Sequence, residues 1–292
     1  MFLPQRFTCF ACKAGTGTAV WANAASRLHS CQMCGAEWLE GDIPVEPAYR
    51  YDDFDPFGLT GRYLTGRAQR FADYVTRVGI SCGDILDVGC GMGHFLIASQ
   101  RLGYRPVGTE LDADVARAVS TRTGLPVLAG DITTSDILPV ASFDAITAWG
   151  ILEHVPDPER LLLACLRLLR PGGDILLETP NSRGAFRIVS RILMKLTQGR
   201  LSTPFRETLG AGHVVWYSGM ALRATAHRLG LSVRDLRSSR NSTAILLARF
   251  AGLPSSERVP MQIATLALNN AAAPLGRPNQ IMATLHYGGQ KC

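Results

Sequence analysis

The sequence has 292 residues, of which 47% are hydrophobic, 18% charged and 8% aromatic. This composition excludes a disordered chain, and the length is sufficient for one large domain, alone or with a small module. Lys and Arg outnumber Asp and Glu by 30 to 24, and the resulting net charge of +6 is compatible with acidic partners without identifying any. No run of about 18 uncharged apolar residues occurs, so no transmembrane helix is predicted.

The first residues lack the features of a targeting segment. Arg6 and a cysteine pair interrupt the apolar run that a signal peptide would need. We therefore expect a cytoplasmic protein, with peripheral attachment at the inner face of the membrane as a second option. In a reducing compartment, clustered cysteines bind metal more often than they form disulfides.

Four of the eight cysteines lie within the first 34 residues. Cys9 and Cys12 form one C-x2-C pair, Cys31 and Cys34 form another, and eighteen residues separate the pairs. This spacing is typical of four thiolates around one structural Zn²⁺. It predicts a zinc ribbon over residues 1–45 whose metal site is closed to substrate. Unligated thiols or two disulfides are the alternative interpretation.

The predicted ribbon is electrically neutral. Residues 1–45 contain three basic and three acidic side chains, whereas a ribbon that grips nucleic acid is usually basic. The charge balance therefore favours a scaffolding or substrate-gating role. His29 is expected beside the metal site and not as a ligand.

A helix is predicted from Leu59 to Val78, and the next segment has the pattern of a strand, a glycine turn and a helix. Gly89, Gly91 and Gly93 allow a tight turn and close approach to a ligand. Asp87 stands two residues before the first glycine, where it would repel a pyrophosphate but suit an ammonium group. Glu110 ends the next strand, in position to accept from two ribose hydroxyls. The pattern favours a nucleoside linked to an amino acid.

Five segments of the sequence occur in the order and spacing of a known protein family. They are ILDVGCGMG at 85–93, VGTELD at 107–112, LAGDI at 128–132, FDAITAWGILEHVPDP at 143–158 and LLRPGGDILLETPN at 168–181. The chain resembles the class I S-adenosylmethionine-dependent methyltransferases, in the branch that includes quinone and O-antigen methyltransferases. The resemblance implies an α/β, Rossmann-like seven-stranded sheet with helices on both faces over residues 46–292. Leu231 to Leu236 has the pattern of a sixth strand and Gln280 to Tyr287 that of a seventh, which in that family inserts antiparallel to complete the sheet.

The resemblance also implies roles in S-adenosylmethionine binding. Asp87 and the backbone at Gly89, Gly91 and Gly93 would hold the methionine end, and Glu110 would hold the ribose. Asp131 would accept from the adenine amino group, with Ile132 beside it and Leu111 against the ring. Trp149 and Gly150 would lie near the sulfonium. Helix capping by Asp131 and a purely packing role for Trp149 are the alternatives.

Two histidines are candidates for the base that an oxygen acceptor requires. His154 lies in the Glu-His-Val-Pro-Asp-Pro segment typical of the branch, where a structural role is equally compatible with the pattern. His213 matches the histidine of the branch's His-x-x-x-aromatic segment, which leads into a helix at Ser218 to Leu229, and is expected on the substrate side.

An insertion at about 183–206 contains six basic residues and no acidic one. Arg183, Arg187, Arg191 and Lys195 recur at every fourth position and predict one basic stripe on a helix, with an apolar side opposite. Such a helix could contact an anionic membrane or a phosphate-bearing substrate. Packing on its own domain with a solvated basic face is the alternative.

The patterns together favour an enzyme that methylates a small acceptor, lipid-linked or sugar-bearing, on oxygen or carbon. A zinc-ribbon rRNA methyltransferase is one alternative, disfavoured by the neutral ribbon and by the absence of an Asn-Pro-Pro-Tyr-type motif. A non-catalytic scaffold that binds the cofactor is the other.

Overall fold

The structure is a computed structural model that describes residues 7–22, 26–41, 59–80, 83–134, 136–198, 200, 212–239 and 278–288, with short stretches at 259–260, 262–263 and 266–267. Within these ranges, the side chains of residues 59–65, 67 and 239 are not described. A predicted helix at 242–251 lies outside the described residues, as does most of another at 261–273.

The strands are β1 (Phe7–Thr8), β2 (Thr16–Ala22), β3 (Ser26–Cys31), β4 (Glu37–Gly41), β5 (Asp84–Val88), β6 (Arg105–Glu110), β7 (Val127–Ala129), β8 (Phe143–Trp149), β9 (Leu169–Pro180), β10 (Val215–Trp216), β11 (Ser232–Ser239) and β12 (Gln280–His286). The helices are α1 (Leu59–Arg77), α2 (His94–Arg101), α3 (Ala113–Thr123), α4 (Pro158–Leu168), α5 (Ala185–Leu196) and α6 (Gly219–Arg228). None of the described helices is long and apolar enough to cross a membrane.

The chain divides into two compact units. The first takes its residues from Met1–Ala48, Thr179–Ala224 and Arg237–Ile281, and the second from Tyr49–Glu178, Thr225–Leu236 and Met282–Cys292.

A seven-stranded sheet in the order β11-β12-β9-β8-β5-β6-β7 organises the second unit. The pairs β5/β6, β5/β8, β6/β7 and β8/β9 are parallel. Gly172 donates to Tyr287 at one end of β9 and Asn181 donates to Asn279 at the other, so β12 runs antiparallel to β9. This mixed sheet confirms the Rossmann-like class I methyltransferase fold that the sequence predicted.

One face of the central strands carries an apolar cluster. Phe71, Tyr74 and Val75 of α1 pack there with Ile85 of β5 and Phe95 of α2. The Tyr74 hydroxyl stays satisfied because it donates to Asp235 Oδ2 at 2.7 Å. Removing this apolar surface from water is the main stabilising term of such a core, and it fixes the carboxyl ends of β5, β6 and β8 relative to one another.

A five-stranded antiparallel sheet organises the first unit, in the order β1-β2-β3-β4-β10. Its first four strands lie in the cysteine-bearing segment, and β10 comes from far along the chain. Val215 pairs with Trp38, and Trp216 pairs with Glu37. The backbone groups at the edge of β4 are thereby satisfied by β10.

The carboxylate of Glu37 is the most deeply buried acidic group in this sheet, with 2% of its side chain exposed. Its Oε2 accepts from Arg187 Nε at 2.7 Å, and its Oε1 accepts from Arg191 Nη1 at 2.6 Å. The Arg187 guanidinium also lies 4.3 Å from the ring centroid of Trp216. Burial lowers the pKa of Arg187, and the charge of Glu37 opposes that shift. A carboxylate between two guanidinium groups compensates charges that would be costly to bury alone.

Two members of the predicted basic stripe, Arg187 and Arg191, therefore face protein, whereas Arg183 and Lys195 are exposed. Arg187 is buried and Arg191 is half-buried, because Glu37 binds both. The solvent-facing side of the helix is nevertheless largely apolar, because Val189, Ile192, Leu193 and Leu196 are exposed beside Lys195. A carboxylate 150 residues away in sequence buries the middle of the stripe, which the four-residue spacing alone could not indicate.

Replacement of Glu37 by Ala should destabilise the protein by about 3–5 kcal/mol, because it leaves the Arg187 charge buried without a counter-charge. Urea unfolding followed by fluorescence would measure the change. Asp114→Ala is the matched control, since its ion pair with Arg117 is exposed and should contribute about 0.5 kcal/mol or less. Equal destabilisation by the two substitutions would contradict the larger contribution to the free energy of unfolding that is expected from the buried Glu37–Arg187 pair.

Candidate functional site

The glycine turn after β5 adopts a backbone that other residues rarely take. Gly89, Gly91 and Gly93 have φ angles of 65°, 50° and 72°. A Cβ on Gly93 would lie 2.6 Å from Val119, so glycine is also required there by space. Gly91 differs, because a Cβ on it would meet nothing within 4 Å. The turn is therefore closely packed on one side and open at Gly91, as a backbone cradle for a ligand would be.

Glu110 at the end of β6 is oriented by the turn itself. Its Oε2 accepts from the Gly91 amide at 2.9 Å, and its Oε1 accepts from the Leu111 amide at 2.9 Å. Each carboxylate oxygen can accept further hydrogen bonds, so the group is fixed while keeping acceptor capacity.

Asp87 at the end of β5 is buried, and only 2% of it is exposed. The hydroxyl of Thr147 on the neighbouring strand β8 donates to Asp87 Oδ1 at 2.7 Å. Thr147 was not predicted as a site residue. An inward-facing threonine opposite the acidic strand end is the sequence feature that could have identified it, because parallel pairing aligns Asp87 with Thr147.

The electrostatic environment of the turn is negative. Burial, together with the charges of Asp87 and Glu110, raises the pKa of the Cys90 thiol. On the helix that follows, burial and the charge of Arg122 lower the pKa of His94. The carboxylates of Asp87 and Glu110 therefore favour a cationic group over phosphate at the ends of β5 and β6, whereas the charge of Arg122 acts at the start of α2.

Asp131 follows β7 and organises its own turn. Its Oδ1 accepts from the Thr133 amide at 2.8 Å, and its Oδ2 accepts from the Thr133 hydroxyl at 2.9 Å. The adjacent Ile132 is buried, whereas Leu111 has 73% of its surface exposed. Leu111 directly follows Glu110 and provides exposed apolar surface that a planar ring could cover.

Trp149 ends β8 within an aromatic group. Its ring stacks on Phe71 at a centroid distance of 4.1 Å and an interplanar angle of 9°, and it meets the edge of Phe95 at 5.5 Å. The indole Nε1 is buried and has no hydrogen-bond partner among the described residues. Gly150 then turns the chain with φ 73°, and its amide donates to Glu178. Trp149 is thus both a core residue and an unused donor.

The two candidate bases, His154 and His213, belong to different units of the chain. His154 ends a short 3-10 turn, Leu152–His154, that precedes α4, and it is half-buried. His213 lies two residues before β10, also half-buried, with its ring centroid 6.1 Å from that of Trp216.

The four predicted metal ligands come together. The sulfur atoms of Cys9, Cys12, Cys31 and Cys34 all lie within 4.8 Å of one another, with Cys9 and Cys34 at 3.5 Å and Cys12 and Cys31 at 3.7 Å. Zinc–sulfur bonds of about 2.3 Å would place the sulfurs of a tetrahedron about 3.8 Å apart. The donor set and its spacing therefore fit a Zn²⁺ ion.

The backbone around the sulfurs has the shape of two matching turns. The residue after the second cysteine of each pair, Lys13 or Gly35, has a positive φ of 56° or 72°. The Gly15 amide donates to Cys12 Sγ at 3.3 Å, and a Cβ on Gly15 would clash with Cys31. A hydrogen bond from Cys34 is the main cause that lowers the pKa of Cys9 to about 5. His29 binds Glu40 through Nε2 at 2.8 Å.

Comparison with known proteins identifies the family. Residues 60–236 match the family described as "Methyltransferase domain". The chain is 37% identical over 162 residues to a ubiquinone biosynthesis O-methyltransferase of Xanthomonas oryzae, which covers 53% of this chain and 61% of the relative. The corresponding protein of Xanthomonas campestris is 39% identical over 153 residues, covering 49% and 56%. The chain thus spans about three fifths of the length of these curated relatives.

Solved structures agree on the fold. A SAM-dependent methyltransferase from Archaeoglobus fulgidus superposes with a TM-score of 0.53 at 18% identity, over 76% of this chain and 94% of that one. The [4+2]-cyclase SpnF superposes with a TM-score of 0.51 at 17% identity, over 86% and 89%. Because the second of these is named for a different reaction, the fold alone does not specify the chemistry. The match over more than half of the chain does specify the family: this protein belongs to the methyltransferase domain family and has its Rossmann-like class I fold.

Proposed function

We propose that the protein transfers a methyl group from S-adenosylmethionine to a hydroxyl oxygen of a small biosynthetic acceptor. The observation that carries this proposal is the set of three carboxylates after β5, β6 and β7, each oriented by a hydrogen bond, with that of Glu110 coming from the open glycine turn. The identity to ubiquinone biosynthesis O-methyltransferases supports oxygen as the acceptor atom and favours it over carbon.

The residues fit the cofactor group by group. Asp87 would accept from the ammonium, and the backbone at Gly89, Gly91 and Gly93 would lie along the methionine portion. Glu110 would accept from the ribose hydroxyls, whose donors match its remaining lone pairs. Asp131 would accept from the adenine amino group, with Leu111 and Ile132 against the ring. Trp149 Nε1 and the Gly150 turn would lie near the reacting centre.

When bound, the cofactor supplies a methyl carbon that is activated by its sulfonium. The protein contributes alignment of the acceptor and removal of the hydroxyl proton, so that the oxygen can attack in line. His154 and His213 are the two side chains assigned to take that proton. The buried, negatively charged strand ends favour the cationic cofactor, and its charge is lost on transfer, which favours release of the product.

We also propose that Cys9, Cys12, Cys31 and Cys34 bind one structural Zn²⁺. All four positions of a tetrahedron would be filled by thiolates, so the ion would have no open site for chemistry. Residues 1–45 would then be the ribbon, and residues 46–292 the methyltransferase domain with its insertion.

Cofactor affinity should fall about tenfold or more in Asp87→Asn and in Glu110→Gln, because each loses a charge-assisted hydrogen bond. Thr147→Val should weaken binding less, by roughly fivefold, because it removes only the donor that orients Asp87. Isothermal titration with S-adenosylmethionine measures all three. Asp114→Asn, an exposed carboxylate on α3, is the control and should leave affinity unchanged. No binding by the unaltered protein would refute the assigned site.

Purified protein should contain about one zinc ion per chain, and Cys31→Ser should lose it. Because metal binding and folding are coupled in small ribbons, chelation should lower the melting temperature of the unaltered protein. Cys165→Ser is the matched control, since that buried cysteine lies in α4. Reduced protein that contains no metal without exposure to chelator would exclude the zinc assignment.

Labelling with tritiated S-adenosylmethionine against lipid, RNA, protein and soluble fractions tests the reaction itself. Label in the lipid or soluble fraction, stable to base and lost from His154→Ala or His213→Ala, is the expected result. Label in RNA would establish the rRNA methyltransferase alternative. Cofactor binding with no label in any fraction would establish the non-catalytic scaffold.

A further inference from the structure

A groove of about 360 Å³ lies between α5 and the strands β2 and β3 of the first unit. Three basic side chains line it, those of Arg183, Arg191 and Lys195. Glu37 is its single acidic lining residue, and Ser30 and Gln32 add polar groups from the β3 end. The groove is distinct from the glycine turn, all of whose residues belong to the second unit.

The Glu37 carboxylate does not neutralise the positive charge of the side chains that line the groove. Both oxygens of Glu37 are engaged, Oε2 by Arg187 and Oε1 by Arg191. In the described part of the chain, no carboxylate pairs with Arg183 or Lys195, and both side chains are exposed. The lining therefore carries three positive charges against one negative charge, with the Arg187 charge buried behind it.

Arg183 contacts the second cysteine turn at the groove wall. Its guanidinium lies so close to Gly35 that a Cβ on Gly35 would lie 2.8 Å from Nη2 and 2.9 Å from Cζ. Gly35 itself belongs to the second cysteine turn, and the Ser182 hydroxyl donates to its carbonyl at 2.6 Å. The cysteine turn thus leaves room for an arginine side chain whose planar set of donors faces the groove.

The lining chemistry suits a phosphate group. Two guanidinium groups and one ammonium converge on a space that also contains hydroxyl and amide groups, and arginine forks bind phosphate oxygens in pairs. Ile188 and Ile192 form an apolar wall beside these cations. We propose that this groove binds the phosphate or pyrophosphate group of an amphiphilic ligand, either a phospholipid headgroup or a phosphorylated metabolite.

Inorganic pyrophosphate, titrated calorimetrically into the full-length protein without S-adenosylmethionine, is the first probe. We expect binding that weakens with added salt, since the contacts are ionic, and that falls at least tenfold in the double variant Arg183→Ala/Lys195→Ala. Both side chains are exposed, so the variant should keep the melting temperature of the parent. Lys195→Gln, with a smaller loss, is the second variant. Arg223→Ala, an exposed arginine on α6 outside the groove, is the matched control and should bind as the parent does.

Sedimentation with vesicles of phosphatidylglycerol and of phosphatidylcholine separates the two sources of phosphate. Binding to the anionic vesicles that the double variant loses, and that pyrophosphate displaces, supports the groove and identifies the headgroup as its ligand. Pyrophosphate binding without vesicle binding supports it with a free phosphorylated ligand. Absence of both, or binding equally strong in the double variant, would overturn the proposal. Neither readout involves methyl transfer, so failure here is distinguishable from failure of the proposed function.

Discussion

The buried carboxylate of Glu37 is the constraint on which the first unit depends. A single acidic group compensates two arginines from a helix 150 residues further along the chain, and one of those arginines is itself packed on Trp216. An ion pair so deeply buried contributes less net stability than a hydrophobic replacement could, but it penalises any arrangement that separates its members. Its principal effect is therefore to select the register in which α5, β4 and β10 meet. The exposed apolar side of α5 and the phosphate groove both follow from that selection.

The candidate cofactor site follows a different principle, because its carboxylates are oriented by backbone and hydroxyl donors. Glu110 accepts from the amides of Gly91 and Leu111, and Asp87 accepts from the Thr147 hydroxyl. Charges held by neutral donors keep their field, which a guanidinium would cancel. The site thus remains negative and selective for a cationic ligand, while the first unit uses its carboxylate to neutralise. The carboxylates of the candidate cofactor site thus keep their charge for a ligand, whereas the charge of Glu37 is compensated within the packed first unit.

Much of the fold could be predicted from the sequence because it is encoded locally. The glycine turn, the strand-end acids and the C-x2-C pairs each fall within a few residues, and the structure brings them together as their spacing indicates. The seven-stranded sheet and its antiparallel last strand also followed from the family resemblance. The burial of α5 could not be predicted in this way. Its amphipathic pattern shows two faces but not which one meets protein, and the deciding carboxylate lies in another segment whose own composition is neutral. Thr147 and Gly15 were missed for the same reason, since each acts through a partner distant in sequence.

This distribution of charge changes what the net excess of +6 means. A diffuse excess would steer any polyanion, with a strength that falls off within a Debye length of the surface. Here four of the insertion's basic side chains lie in different surroundings although they are spaced four residues apart. Arg187 forms a buried ion pair with Glu37, and Arg191 pairs with Glu37 while also lining the groove. Arg183 and Lys195 are exposed and line the groove beside apolar side chains. Two or three cations at a defined groove select a compact phosphate over an extended polyanion, because a nucleic-acid backbone would need a longer basic track to release enough counterions. The physical form of the charge therefore favours an amphiphilic phosphate as its partner and disfavours RNA.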